Sequence, residues 1–331
     1  MKKVISLILS LAMVFSLAAC GASESAPAEE AAAQTEIKVA IVQQLDHSSL
    51  DEIREAIKAQ LNALAAPTNY TITIEEYNGQ NDTSMLNQIA TQVVSDEVDM
   101  VIPIATLAAL SVVTASEGTD LPIVYAAISD PASAGLTGLP TVTGVSDALN
   151  TPFILDMMLA AQPDVETVGL LYSNSEINSE TPIAEAKAYL DEKGIAYIEK
   201  TGTTSGEIVE AAASLVGRVD AVFTPTDNAV MAAEASVAEL LNADGIPHYT
   251  GADSFVLSGA FTTCGVNYTE LGTKVADMAF DILMGGQIGE FVVMDGGIIT
   301  VNTDTAEKCG IDYSVFSTMA NTVNEVTTTA E

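Results

Sequence analysis

The feature that most constrains this chain is that its folded part reads as the same unit twice. Val39-Ala40-Ile41-Val42 is answered by Val168-Gly169-Leu170-Leu171-Tyr172, and Val98-Asp99-Met100-Val101-Ile102-Pro103 by Val219-Asp220-Ala221-Val222-Phe223-Thr224-Pro225. Leu121-Pro122-Ile123-Val124-Tyr125 is answered by Gly245-Ile246-Pro247-His248-Tyr249, and Val142-Thr143-Gly144-Val145 by Thr262-Thr263-Cys264-Gly265-Val266. Each match is weak alone. Four in the same order define a tandem pair of lobes, and a long-period repeat decides architecture before any single element does. The length of 331 residues agrees, at roughly 150 residues per domain.

Within each copy, short apolar runs alternate with helical periodicity. Ile37 to Val42 reads as a strand, after which Leu50, Ile53, Ile57, Leu61 and Leu64 fall on one helix face. A strand over Thr71 to Tyr77 precedes a helix carrying Leu86, Ile89, Ala90 and Val93. The uncharged stretch Met100 to Ser116 resembles a membrane helix, but Pro103 and the β-rich Met100-Val101-Ile102 make it a buried strand with a helix starting near Thr106. Such alternation builds parallel sheets from βαβ units. Beyond the second copy come an amphipathic helix over Glu270 to Met284, strands near Phe291 to Met294 and Ile298 to Val301, and a short helix around Thr305 to Cys309. The expected class is α/β, with two similar doubly wound parallel-sheet lobes joined by a multi-crossover hinge. Lobe 1 takes 37–146 plus about 267–290, lobe 2 takes 147–266 plus about 291–316, and 317–331 is a flexible tail.

Charge excludes whole classes of partner. Lys and Arg number 11 against 45 Asp and Glu, a net charge of −34, which argues against nucleic acid, polyphosphate or anionic lipid headgroups. With 48% hydrophobic residues the chain is nonetheless equipped to fold. Three Cys and two His leave little material for a disulfide framework or a His/Cys metal site, and no cofactor is expected. Cys264 and Cys309 could pair or remain free thiols. No G-x-S-x-G elbow or Cys/His pair is visible, so no enzyme is expected.

The N-terminus gives the address. Lys2 and Lys3 precede an uncharged run from Val4 to Ala19, the layout of a secretory signal over residues 1–19. Leu17-Ala18-Ala19-Cys20-Gly21 resembles the lipobox of bacterial lipoproteins, which implies cleavage before Cys20 and lipidation of its thiol. Residues 20–36 then form a small, acidic, flexible tether, placing the protein outside the cytoplasm, lipid-anchored to the bacterial membrane.

The series Val42 to His47, Ile104-Ala105-Thr106, Ser129-Asp130-Pro131, Thr143 to Ser146, Tyr172 to Glu176, Pro225 to Asn228 and Tyr268 to Gly272 resembles the substrate-binding lipoproteins of ABC transporters. The nearest group includes tryptophan- and tyrosine-uptake binding proteins, and the resemblance runs from about residue 37 to 312. It implies the type I periplasmic-binding-protein fold, a monomer whose lobes close on a small ligand, its partners being that ligand and an ABC permease in the membrane.

In open parallel sheets ligands bind beyond the carboxyl ends of the strands. The first lobe offers Gln43, His47, Thr106, Ser129 and Asp130 there; the second offers Ser173, Ser175, Glu176, Asn178, Ser179, Thr226, Asp227, Asn228 and Asp253. No Lys or Arg falls in these loops, so a ligand carboxylate needs helix N-terminal N–H groups and hydroxyls, with Thr106 and Ser175 to Ser179 as candidates. Asp130, Asp227 and Asp253 are counter-charges for an ammonium group, each with a turn or helix cap as its competing role. The expected ligand is therefore a zwitterionic amino acid, aromatic or branched aliphatic by the resemblance. The alternatives are a ligand-sensing lipoprotein serving a membrane receptor, or another small polar solute such as a sugar or nucleoside. The lack of Trp disfavours sugar; Tyr125, Tyr172 and Phe255 could stack on a ligand or lie in the core.

Overall fold

The computed structural model describes residues 35–329. The signal-like run, Cys20 and the tether through residue 34 lie outside the described residues, while Thr35 and Glu36, the last two of that tether, already belong to the first strand. The chain opens with β1 (Thr35–Gln43), α1 (Ser48–Ala65), β2 (Tyr70–Asn78), α2 (Thr83–Ser95), β3 (Met100–Ile104), α3 (Thr106–Ala115), β4 (Ile123–Ala126) and β5 (Val142–Ser146). It continues with α4 (Thr151–Ala161), β6 (Thr167–Ser173), α5 (Glu180–Lys193), β7 (Ala196–Gly202), α6 (Ser205–Ala213) and β8 (Ala221–Thr224). Then follow α7 (Asn228–Met231), α8 (Glu234–Ala243), β9 (His248–Thr250), α9 (Asp253–Leu257) and β10 (Thr262–Gly265). The last elements are α10 (Tyr268–Leu283), β11 (Val292–Val293), β12 (Ile298–Asn302), α11 (Thr303–Cys309) and β13 (Thr322–Val326).

Strand pairing carries the duplication. The first sheet is ordered β11-β5-β4-β3-β1-β2 and the second β13-β12-β10-β9-β8-β6-β7, so the four matched runs occupy corresponding places. Among the described residues only β12 runs antiparallel to a neighbour, β10. A parallel sheet must be covered on both faces, and β1 supplies both. Val39 and Ile41 pack with Leu50, Ile53, Ile57 and Leu61 of α1 and Leu271 and Val275 of α10, whereas Ala40 and Val42 pack with Leu86 and Ile89 of α2 and Ala108 and Val112 of α3. In the second sheet Leu171 and Val222 join Ile208 and Ala212 of α6 and Val237 and Leu241 of α8, while Val168, Leu170 and Phe223 join Ile154 and Met158 of α4 and Ile183 and Leu190 of α5. Each buried Val, Leu, Ile, Met or Phe side chain among these contributes about 1.5–3 kcal/mol. Gly272 lets α10 approach α1 closely, since a Cβ there would lie 2.5 Å from the carbonyl oxygen of Ile53.

Three segments pass between the sheets: 147–150 after β5, 266–267 before α10, and 294–297 between β11 and β12. Two expected boundaries are corrected. Val292 and Val293, expected in lobe 2, pair with Val145 and Ser146 and extend the first sheet, so the last passage falls at Gly296-Gly297, where Gly297 has φ +96°. Residues 322–326, expected in a flexible tail, form β13 beside β12. Thr322, Val323 and Val326 are β-branched, and at a sheet edge the strand needs only one partner and keeps its polar side chains in water, which hides it from an apolar-run criterion. Cys264 and Cys309 are free thiols.

Candidate functional site

The carboxyl ends of four strands from each sheet converge on one small cavity, of about 30 Å3. From lobe 1 come His47, Ser49 and Leu50 after β1, Ala105 and Thr106 after β3, Ala127 and Ser129 after β4, and Asp147 after β5. From the second copy come Asn178 after β6, Thr226, Asp227, Asn228 and Met231 after β8, Ala252 and Phe255 after β9, and Tyr268 after β10. The lining is polar at one set of positions and apolar at Leu50, Met231 and Phe255, and it includes no Lys or Arg. A larger groove of about 680 Å3 follows the passages between the lobes and shares Asp147 and Tyr268 with the cavity; its other polar lining residues, Asn150, Ser317, Thr318, Asn321 and Thr322, do not come from the strand ends of the first sheet.

Two backbone positions at the cavity are strained. Ala105 has φ +74° and Ala127 φ +55°, a region that suits glycine, and such residues cost about 1–3 kcal/mol each. The strain falls where β3 and β4 end, and it starts α3 at the cavity wall. Leu107 N–H of α3 donates to Gln44 Oε1 at 3.1 Å, which ties the helix N-terminus to the end of β1.

Of the residues predicted for the site, His47, Thr106, Ser129, Asn178, Thr226, Asp227 and Asn228 line the cavity. Asp227 is at once a wall residue and a cap. Its Oδ2 accepts from Ser173 N–H and Ser179 Oγ, both at 2.7 Å, and its Oδ1 accepts from Val230 N–H at 2.9 Å. Ser173 and Ser179 thus stand behind the wall and hold Asp227, and Ser175 shares a 2.7 Å hydrogen bond with Ser173 Oγ. Glu176 also stands behind it, accepting from Gln44 Nε2 of the other lobe at 2.7 Å and from Asn228 Nδ2 at 3.0 Å. Burial, with the Asp227 charge next, pushes the Glu176 carboxyl well up.

The remaining predicted residues sit elsewhere. Gln43 donates to Leu45 O and Asp51 and accepts from Arg54, within an ionic cluster on lobe 1. Successive strand residues point to opposite sides, so Gln44 and not Gln43 reaches the other lobe. Asp130 accepts from Ser133 N–H and Oγ and from Thr181 Oγ1; burial raises its carboxyl, but these bonds outweigh it and hold the group below the usual range. Asp253 accepts from Ser49 Oγ at 2.9 Å across the lobes. Tyr125 is core, Tyr172 donates to Glu199, and only Phe255 of the suggested aromatics reaches the cavity. His248 is packed between Glu234 and Thr224.

Asp147 is the residue the sequence reading missed. It is 6% exposed, accepts from Ser129 Oγ at 3.1 Å and has no cation beside it, and burial pushes its carboxyl up to about 6. The signal was one residue beyond the quoted Thr143-Gly144-Val145-Ser146 run: a carboxylate directly following a buried strand end. Two further acceptors in this lining are buried without a partner, His47 Nδ1 and Asn178 Oδ1. Ser129 Oγ and Thr226 Oγ1 meet across the lobes at 2.8 Å, and His47 Nε2 meets Asn228 Oδ1 at 3.3 Å.

Two parallel-sheet α/β lobes, passing chain between them and converging their strand ends on one cavity, constitute a type I periplasmic-binding-protein fold. Residues 38–322 match the profile of the ABC transporter substrate binding protein family, and the chain belongs to that family. It is 30% identical over 316 residues to the tyrosine-binding protein of Clostridioides difficile (strain R20291), covering 92% of this chain and 91% of that protein. An ABC domain from Streptococcus pneumonia in complex with L-Trp superposes with a TM-score of 0.81 at 28% identity, over 87% of this chain and 100% of that one. The ligand-free, open structure of a Clostridium difficile substrate binding protein with adhesive properties gives a TM-score of 0.66 at 30% identity, over 88% of this chain and 100% of that one. The family is one of solute-binding proteins, not of enzymes. No helix among the described residues is long and apolar enough to cross a membrane.

Proposed function

We propose that this protein is the extracytoplasmic receptor of an ABC importer, anchored through Cys20, that captures a zwitterionic α-amino acid with a large apolar side chain and closes its lobes around it. The observation that carries the reading is the chemistry of the cavity: an uncompensated Asp147, a helix N-terminus at Thr106 and an apolar wall of Leu50, Met231 and Phe255, with no Lys or Arg. Asp147 takes the ammonium group, a role assigned to it rather than to Asp227 because the Asp227 oxygens are already engaged by donors of its own lobe. The ligand carboxylate sits at the first turn of α3, where the Thr106 and Ala108 N–H groups lack intrahelical partners while Leu107 N–H is held by Gln44. Contacts from both lobes favour the closed arrangement by their differential affinity. The interlobe hydrogen bonds and the better superposition on the L-Trp complex than on the open form support closure.

The test is calorimetric titration of the mature protein with the twenty amino acids, alongside native mass spectrometry of protein purified without refolding. Micromolar or tighter binding of aromatic or branched amino acids is expected. A flat response to all twenty, with a sugar or nucleoside found copurified, overturns the reading.

A further inference from the structure

His47 lines the cavity beside Leu50 and is held in one orientation by a directed chain of hydrogen bonds. Asn228 donates through Nδ2 to Glu176 Oε2 at 3.0 Å, so its Oδ1 is the atom that faces His47 Nε2 at 3.3 Å. An amide oxygen can only accept, so Nε2 carries the hydrogen and Nδ1 is left with a lone pair. Although part of the His47 side chain remains exposed, Nδ1 itself is buried and has no partner. Burial pushes the imidazole down to about 4, opposed by the bond to Asn228 and the charges of Asp51 and Asp46, so the lone pair persists at neutral pH.

His47 and the carboxylate assigned to the ammonium have different hydrogen-bond partners. Asp147 is bonded to Ser129 and Ser129 to Thr226, whereas His47 is bonded to Asn228. A ligand with its ammonium at Asp147 and its carboxylate at α3 has Leu50, Met231, Phe255 and His47 left in the lining to receive its side chain. An aromatic side chain with an N–H or O–H satisfies the buried nitrogen, whereas a purely hydrocarbon one leaves it orphaned.

We infer that His47 Nδ1 is a specificity determinant that accepts a hydrogen bond from the side chain of the ligand, selecting tyrosine or tryptophan over phenylalanine and leucine. The inference rests on the amino-acid reading given above and narrows its ligand class. Leaving a buried acceptor unpaired costs about 1–3 kcal/mol, which corresponds to a preference of about 5- to 150-fold.

Titrating the wild-type protein with tyrosine, tryptophan, phenylalanine and leucine tests it directly. At least one of tyrosine and tryptophan is expected to bind about tenfold or more tightly than both hydrocarbon ligands. In His47→Leu that preference is expected to collapse, chiefly because phenylalanine and leucine gain affinity once no buried acceptor is left unpaired; in His47→Gln, which retains an acceptor, part of it survives. Thermal melts and the retained phenylalanine binding establish that the variants fold. Equal wild-type affinities for tyrosine, tryptophan and phenylalanine overturn the inference while leaving the amino-acid reading intact. An equal loss of all four ligands in both variants likewise overturns it, by putting His47 at the ammonium or in the fold. Failure of all four to bind the wild type is the separate result that overturns the amino-acid reading itself.

Discussion

Asp147 and Asp227 border the same cavity, and substitution should separate what they do. Asp227 satisfies three donors of its own lobe, so Asp227→Ala strands Ser173 N–H, Ser179 Oγ and the start of α7. A loss of about 2–4 kcal/mol is expected, read as a lower urea midpoint. Asp147→Asn should do the reverse: unfolding stability at neutral pH unchanged or higher, but amino-acid affinity reduced about 30-fold or more in calorimetry. The pH dependence follows from the same carboxyl. Its folded value, about 6, lies above the unfolded one, so between about 4 and 6 the folded state binds more protons, and this group's contribution to stability falls as pH rises through that window. An ammonium ligand favours the ionised form, so affinity should be level above this range and decline as pH drops below about 6. An affinity that stays constant down to pH 4.5 would remove Asp147 from the ammonium site. Its position could be read in the sequence only by parity and position, because a single Asp after a strand has the same local signature as a turn residue.

At the scale of elements, the parallel strands were legible because burial on both faces turns them into uninterrupted apolar runs, as in Met100–Ile104 and Ala221–Thr224. An edge strand has no such demand, which is why β13 with its Thr, Asn and Glu passed for a tail. Backbone strain is equally silent in sequence: nothing about Ala105 announces φ +74°. Ala105→Gly should relieve the strain, raising stability by about 1 kcal/mol once the extra freedom of the unfolded chain is deducted, while weakening ligand binding through a looser start to α3. Equilibrium unfolding and titration of the same sample check both signs. Packing of α10 on α1 offers a complementary case. Gly272→Ala places a methyl 2.5 Å from the Ile53 carbonyl oxygen and 2.7 Å from the Ala56 side chain, and should destabilise lobe 1 by about 1–3 kcal/mol in urea.

For the whole molecule, the lobes are held together at the cleft by hydrogen bonds that have no counterpart in either lobe alone. Gln44 to Glu176, Ser49 to Asp253, Ser129 to Thr226 and Thr181 to Asp130 all span it. At the rim, Ser133 Oγ and Thr181 Oγ1 lie 3.4 Å apart, outside the cavity. The double variant Ser133→Cys/Thr181→Cys should therefore form a bridge that locks the lobes. Oxidation in the presence of ligand is expected to slow ligand release about 100-fold or more, with recovery on reduction; release rates indifferent to redox state would mean that ligand leaves without the lobes parting.

The strand order has a practical consequence. Since β1 belongs to the first sheet and β13 to the second, a label fused ahead of Thr35 and another fused beyond the last strand would ride on different lobes. If the lobes close on ligand as proposed, the molecule's own connectivity makes it a scaffold for an optical sensor, in which energy transfer between two terminal fluorophores reports ligand concentration with no engineering of the cavity.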